Sequence, residues 1–116
     1  MQPDDAYLLD MLHEARTALE FVGGRTYEEF ERDAQCRYAV IRAIEVLGEA
    51  AAQVSDEFRQ AHPDIEWRKI VGMRNRLIHG YGDIVLSIVW EVLQTDIPEL
   101  IKLLEPLVPS AEDSAT

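Results

Sequence analysis

The sequence predicts an all-α fold, an up-and-down bundle of four main helices with shorter helices between them. Three observations carry that expectation. Apolar residues recur at steps of three and four over most of the chain, turn-forming residues separate those stretches, and no stretch alternates with the period of a strand. At 116 residues the chain has the length of one domain, enough to bury most of its unfolded surface in a single core.

The elements follow in order. A first helix is expected from Asp4 or Asp5 to about Val22, with Leu8, Leu9, Leu12, Ala15 and Leu19 on one face and Gly23-Gly24 as its stop. Thr26 with Glu29 three residues on is a capping-box pattern and opens a short helix. A long helix then runs from Asp33 to Val54, its stripe marked by Val40, Ile44, Leu47, Ala51 and Val54. Gly48 inside it costs helix stability, so it is expected to permit a close helix contact. "SDEFRQAHP" reads as one or two helical turns stopped by Pro63. Asp64 is then placed to cap a third main helix from about Ile65 to His79, with Gly80 as its exit. The last helix begins near Asp83 and has the most regular apolar period, and Pro98 should kink it or mark a restart capped by Asp96. The polar, small and acidic stretch 109–116 reads as a disordered tail behind a domain at 1–108.

Charge and cysteine usage narrow the function classes. The formal net charge of −11 opposes general nucleic-acid binding, which draws its affinity from neutralising phosphates with Lys and Arg. The exception is local: "WRKIVGMRNR" gathers Arg68, Lys69, Arg74 and Arg76 within nine positions. No apolar run approaches the roughly 18 residues of a membrane span, and the acidic start of the chain is unlike a secretory signal. Cys36 is alone in the chain, which fits a reducing cytoplasm, and it sits among apolar neighbours as core filling.

On a helical wheel of the third helix, Trp67, Ile70, Val71, Leu77 and Ile78 form an apolar stripe with Arg74 at its centre. A guanidinium buried there would need a carboxylate such as Glu45, acceptors from a second subunit, or an anionic ligand. Asn75 and His79 are four apart and share an edge of the same helix, His79 falling in the last turn, where carbonyls favour an imidazole. Tyr81 follows just past Gly80. Such a set suits phosphate chemistry without a metal: an imidazole takes the proton of an RNA 2′-hydroxyl, and a guanidinium steadies the charge on the phosphorus-centred transition state. On an ideal helix Arg74 and His79 stand about 140° and ~7.5 Å apart, a gap a site shared across a two-fold axis closes more easily than one copy does. No metal-ligand spacing, phosphate-cradling glycine loop or Ser–His–Asp pattern is present in the sequence.

"GMRNRLIHGY" resembles the R-x-x-x-x-H-x-Y motif of HEPN-domain proteins, specifically the HepT-like toxin family. "AVIRAIEVLGEAA", "HPDIEWRKIVGMRNRLIHGYGDI" and "VWEVLQTDIPEL" resemble that family's segments in the same order, up to about Leu107. The resemblance implies a homodimeric helical bundle with the two motif copies facing a shared cleft. It implies a metal-independent ribonuclease in which Arg74 and His79 match the catalytic pair and Asn75 the polar residue after the arginine. Tyr81 matches the tyrosine that a partner nucleotidyltransferase antitoxin adenylylates in some family members; ATP and Mg then enter only through that partner. Two further readings stay open: a non-catalytic module that serves as partner or substrate of a nucleotidyltransferase, which the −11 charge favours, and a plain dimerisation domain with a structural Arg74–Glu45 pair.

Overall fold

The computed structural model describes residues 2–79 and 83–109, so Gly80, Tyr81 and nearly all of the expected tail lie outside the described residues. The described chain is an all-α bundle, as the apolar periodicity predicts. Helices α1 (Asp5–Val22) and α3 (Ala34–Gln53) form its most extensive contact. On α1 the buried side chains are Leu8, Met11, Leu12, Ala15, Ala18 and Val22, so the stripe is turned slightly from the expected one, leaving Leu9 and Leu19 half-buried. Gly23 ends α1 at a φ of 54°, and its N–H donates to the Leu19 carbonyl at 2.9 Å. Arg25 also donates to the last carbonyls of α1, at 2.8 Å to Phe21, and pairs with Asp33 at 3.1 Å.

The short helix α2 (Tyr27–Arg32) opens with the capping box in full. The Glu29 N–H donates to Thr26 Oγ1 at 3.2 Å, and the Thr26 N–H donates to the Glu29 carboxylate at 3.1 Å. The bond from the Thr26 backbone, and after it the Thr26 side chain, hold the Glu29 carboxyl below its ordinary range; the Cys36 N–H does the same for the Asp33 carboxyl at the start of α3. Carboxyls depressed in the folded state stabilise it above their unfolded pKa, and that contribution fades as pH falls through the folded value. Stability should therefore drop below about pH 4, and Glu29→Gln should flatten that dependence in urea titrations at stepped pH. Thr26→Ala should lower stability at neutral pH by about 1 kcal/mol, read as a shifted urea midpoint with an unchanged slope.

Beyond α3, helix α4 (Asp56–Ala61) is capped by Ser55, whose N–H and hydroxyl donate to the Asp4 carboxylate at 2.9 and 2.7 Å. The contact ties the start of α1 to the far end of α3. Gly48 behaves as expected: a Cβ there would lie 3.3 Å from the Ile70 carbonyl oxygen and 3.6 Å from that of Val71, so two backbones meet at this point.

The third main helix departs from expectation. It starts at Trp67 and not Ile65, with Glu66 at the cap position and no side-chain cap bond, so Asp64 does not cap it. It is split at Gly72 into α5 (Trp67–Val71) and α6 (Met73–Leu77), the weakest helix former in the segment standing at the break. It then ends two residues early, in a two-strand ladder of β1 (Ile78–His79) and β2 (Asp83–Ile84), pairing Ile78 with Ile84 and His79 with Asp83. Strands this short cannot show a period of two, so the periodicity analysis passes over them.

The final helical run comprises α7 (Leu86–Glu91), a π turn over Val92–Asp96, and α8 (Ile97–Leu104). Pro98 explains the π turn. It has no N–H to give and its ring clashes with the carbonyl four residues back, a conflict relieved where hydrogen bonds reach five residues back, as Ile97 N–H to Val92 O does. The expected cap by Asp96 is not made, and its backbone is helical. No helix among the described residues is long and apolar enough to cross a membrane.

Candidate functional site

The motif segment hangs on α5 and α6, and its orientation follows from which of its apolar residues are buried. Trp67, Ile70, Met73 and Leu77 face the core, whereas Val71 is 36% exposed. Exchanging Val71 for Met73 turns the buried line by about 50° from the one expected. Arg74 therefore lies on the flank of that line and is exposed, with Asn75 beside it. The desolvation penalty that would oblige Arg74 to find a partner does not arise in the single chain. Glu45 is not its counterion either: it pairs with Arg42 on its own helix at 3.6 Å.

Arg76, which a helical wheel sets opposite the expected stripe, is the anchored arginine. Its guanidinium bonds the Asp96 carboxylate and lies 3.7 Å from Glu91. Lys69 reaches the other Asp96 oxygen at 3.7 Å and Glu66 at 3.4 Å. Of the four cations in the basic cluster, two are thus neutralised by carboxylates. Arg68 and Arg74 are exposed and make no ion pair among the described residues. An incoming anion would meet positive charge at those two.

His79 stands on β1 and not in a last helical turn, so the spacing from Arg74 expected of an ideal helix does not apply. The backbone puts Arg74, Asn75 and His79 within six consecutive residues that pass from helix to hairpin, the Val85 N–H donating to Leu77 O at 2.9 Å to close it. Tyr81 lies outside the described residues. Cys36 takes no part: it is buried, its thiol donates to the Phe21 carbonyl at 3.2 Å, and burial pushes its pKa up, away from the reactive thiolate.

A groove of about 340 Å³ opens beside α5 and α8, but it is lined by Asp64, Glu66, Asp96 and Glu99 with only Lys69 as a cation, a wall that repels phosphate. Neither Arg74 nor Asn75 lines it. The residues missed in the sequence are Arg76 and Asp96. Their signal was the pair Lys69 and Arg76, seven apart and hence on one face, with an acid near the proline of the last helix.

Known proteins resemble the chain over most of its length. A protein of Methanocaldococcus jannaschii named "Putative RNase MJ1380" is 39% identical over 100 residues, covering 86% of this chain and 92% of its own. "Probable ribonuclease HepT" of Thermococcus cleftensis is 36% identical over 94 residues, 81% of this chain and 86% of its own. "Putative RNase TTE0752" of Caldanaerobacter subterraneus is 35% identical over 108 residues, 93% of this chain and 96% of its own. No solved structure matches. Residues 11–107, which span the core helices, the exposed Arg74 and Asn75 and the anchored Arg76, match the family described as Ribonuclease HepT-like, and the chain belongs to that family.

Proposed function

We propose that the protein is a metal-independent endoribonuclease, the toxin of a bacterial type of toxin–antitoxin pair, acting through Arg74, Asn75 and His79. The observation that carries the reading is the contrast between two arginines of one motif: Arg76 is tied to carboxylates, while Arg74 is left facing solvent. Family membership supplies the ribonuclease class.

In the proposed reaction the His79 imidazole takes the proton of an RNA 2′-hydroxyl, and that oxygen attacks the adjacent phosphorus. The P–O5′ bond breaks, and the departing 5′-oxygen takes up a proton. Products are a 2′,3′-cyclic phosphate and a 5′-hydroxyl. Arg74 stabilises the extra negative charge on the phosphoryl oxygens, and Asn75 donates a hydrogen bond to them. The chain acts as a homodimer in the cytoplasm, the two motif copies facing one cleft, which gathers the cations of both copies at one place although each chain carries a charge of −11. A nucleotidyltransferase antitoxin silences it with ATP and Mg: the Tyr81 phenol oxygen loses its proton and attacks the α-phosphorus, the bond to the β-phosphate breaks, pyrophosphate leaves, and the AMP left on Tyr81 adds negative charge and bulk to an anion site.

The test is induction of the chain alone in a bacterial host. Growth should stop, and His79→Ala should relieve the arrest while the purified variant keeps its helical spectrum. Arrest that persists with His79→Ala refutes the role of His79. The neutralisation of Lys69 and Arg76 favours a second reading, a non-catalytic module that a nucleotidyltransferase modifies. Transfer of AMP from ATP by such an enzyme to Tyr81 of a chain that cleaves no RNA would establish it.

A further inference from the structure

We propose that Asp96 is a positioning residue for the motif segment, fixing the roll of α6 and with it the direction in which Arg74 and Asn75 face. The reaction it serves is the ribonuclease reading above; the positioning itself rests on geometry. A helix of five residues such as α6 has little stability of its own and takes its orientation from what it packs against. Its two buried anchors, Met73 and Leu77, are four apart and lie almost on one line, about 40° from each other around the axis. Two anchors on one line hold a rod down but resist its roll only weakly, and the backbone bond from Val85 to Leu77 acts at one end of it. A third restraint, off that line, is needed to set the roll.

Asp96 provides it. Arg74 and Arg76 stand about 160° apart around the helix, on opposite flanks of the buried line. Lys69, seven residues before Arg76, lies on the same flank as Arg76, within about 20°. Asp96 takes both of these cations, one on each carboxylate oxygen, and its side chain is only 13% exposed. The grip therefore spans the break at Gly72, holding α5 and α6 by one flank and turning the opposite flank, which carries Arg74, outward. Asp96 is itself held firmly: it ends the π turn that Pro98 imposes, between the buried residues Leu93 and Ile97. Glu91 adds a second, more exposed carboxylate to Arg76 and is expected to matter less.

A merely stabilising ion pair and a positioning one differ in what they move. Asp96→Asn keeps the shape and removes the charge. In the full chain it should lower kcat for RNA cleavage roughly ten- to a hundredfold, with KM changed less than about twofold, because misplacing a group by about an ångström costs rate and not affinity. Asp96→Glu, which keeps the charge, should recover most of that rate. Amide exchange over residues 73–79 should quicken in Asp96→Asn while α1 and α3 keep wild-type protection. Unchanged exchange over 73–79, or an equal loosening of every helix, overturns the proposal, as does a change confined to KM. Should the wild-type chain cleave no RNA, the ribonuclease reading fails by itself, and the exchange pattern alone decides whether Asp96 sets the segment.

Discussion

Arg74→Ala is expected to lower kcat/KM for RNA cleavage by roughly 10²–10³, the usual cost of removing a group aimed at transition-state charge. The same substitution should leave the thermal midpoint within about 2 °C of wild type, because the side chain is exposed and makes no ion pair among the described residues. Arg76→Ala should do the reverse in part, losing stability through the uncompensated, mostly buried Asp96 carboxylate. On the proposed reading, two arginines separated by one residue divide chemistry from anchoring. Paired kinetic and melting measurements on the two variants check the division; a large loss of stability in Arg74→Ala would contradict it.

Gly48→Val should destabilise the protein by about 2 kcal/mol, seen as an earlier urea midpoint. The magnitude comes from two opposed effects. Any residue except proline gains helix propensity over glycine, up to about 1 kcal/mol for alanine, and a bare Cβ at 3.3 Å from the Ile70 carbonyl oxygen asks for only a small shift. Gly48→Ala should therefore be close to neutral. Valine adds two further carbons against the backbone of α5, which has no flexible side-chain end to move aside there, so α5 itself must retreat. Since α5 carries α6, Gly48→Val should also slow RNA cleavage beyond its effect on folded fraction. An unchanged midpoint would mean that α3 and α5 do not meet as closely as described.

Local chemistry was legible in the sequence wherever it involved neighbours in the chain. Thr26 with Glu29 predicts a capping box and makes one; Gly23 ends α1; Gly48 marks a close helix contact. The core stripe of α3 was legible too, since Val40, Ile44, Leu47 and Ala51 are buried in series. The roll of the third helix was not. Val71 completes one apolar line with Trp67 and Ile78, four before and seven after it, and Met73 completes another with Ile70 and Leu77, three before and four after it; only the positions of the neighbouring helices choose Met73. That choice moved Arg74 from the expected centre of a buried face to an exposed flank, and it withdrew the need for Glu45 as a counterion. The link from Arg76 to Asp96 crosses twenty residues and was visible only as a coincidence of charge and spacing. The hairpin at His79 fell below the length at which a strand pattern can be read. The residues of the candidate chemistry were found by their motif; their surroundings came from tertiary packing.

Metal-free cleavage of RNA by the purified chain tests the central claim most directly. With excess EDTA present, the wild-type protein should cut an RNA oligonucleotide to 2′,3′-cyclic-phosphate and 5′-hydroxyl ends, leave its 2′-O-methyl counterpart intact, and lose the activity on His79→Ala. Absence of cleavage, a requirement for added metal, or equal cutting of the 2′-O-methyl strand would contradict it.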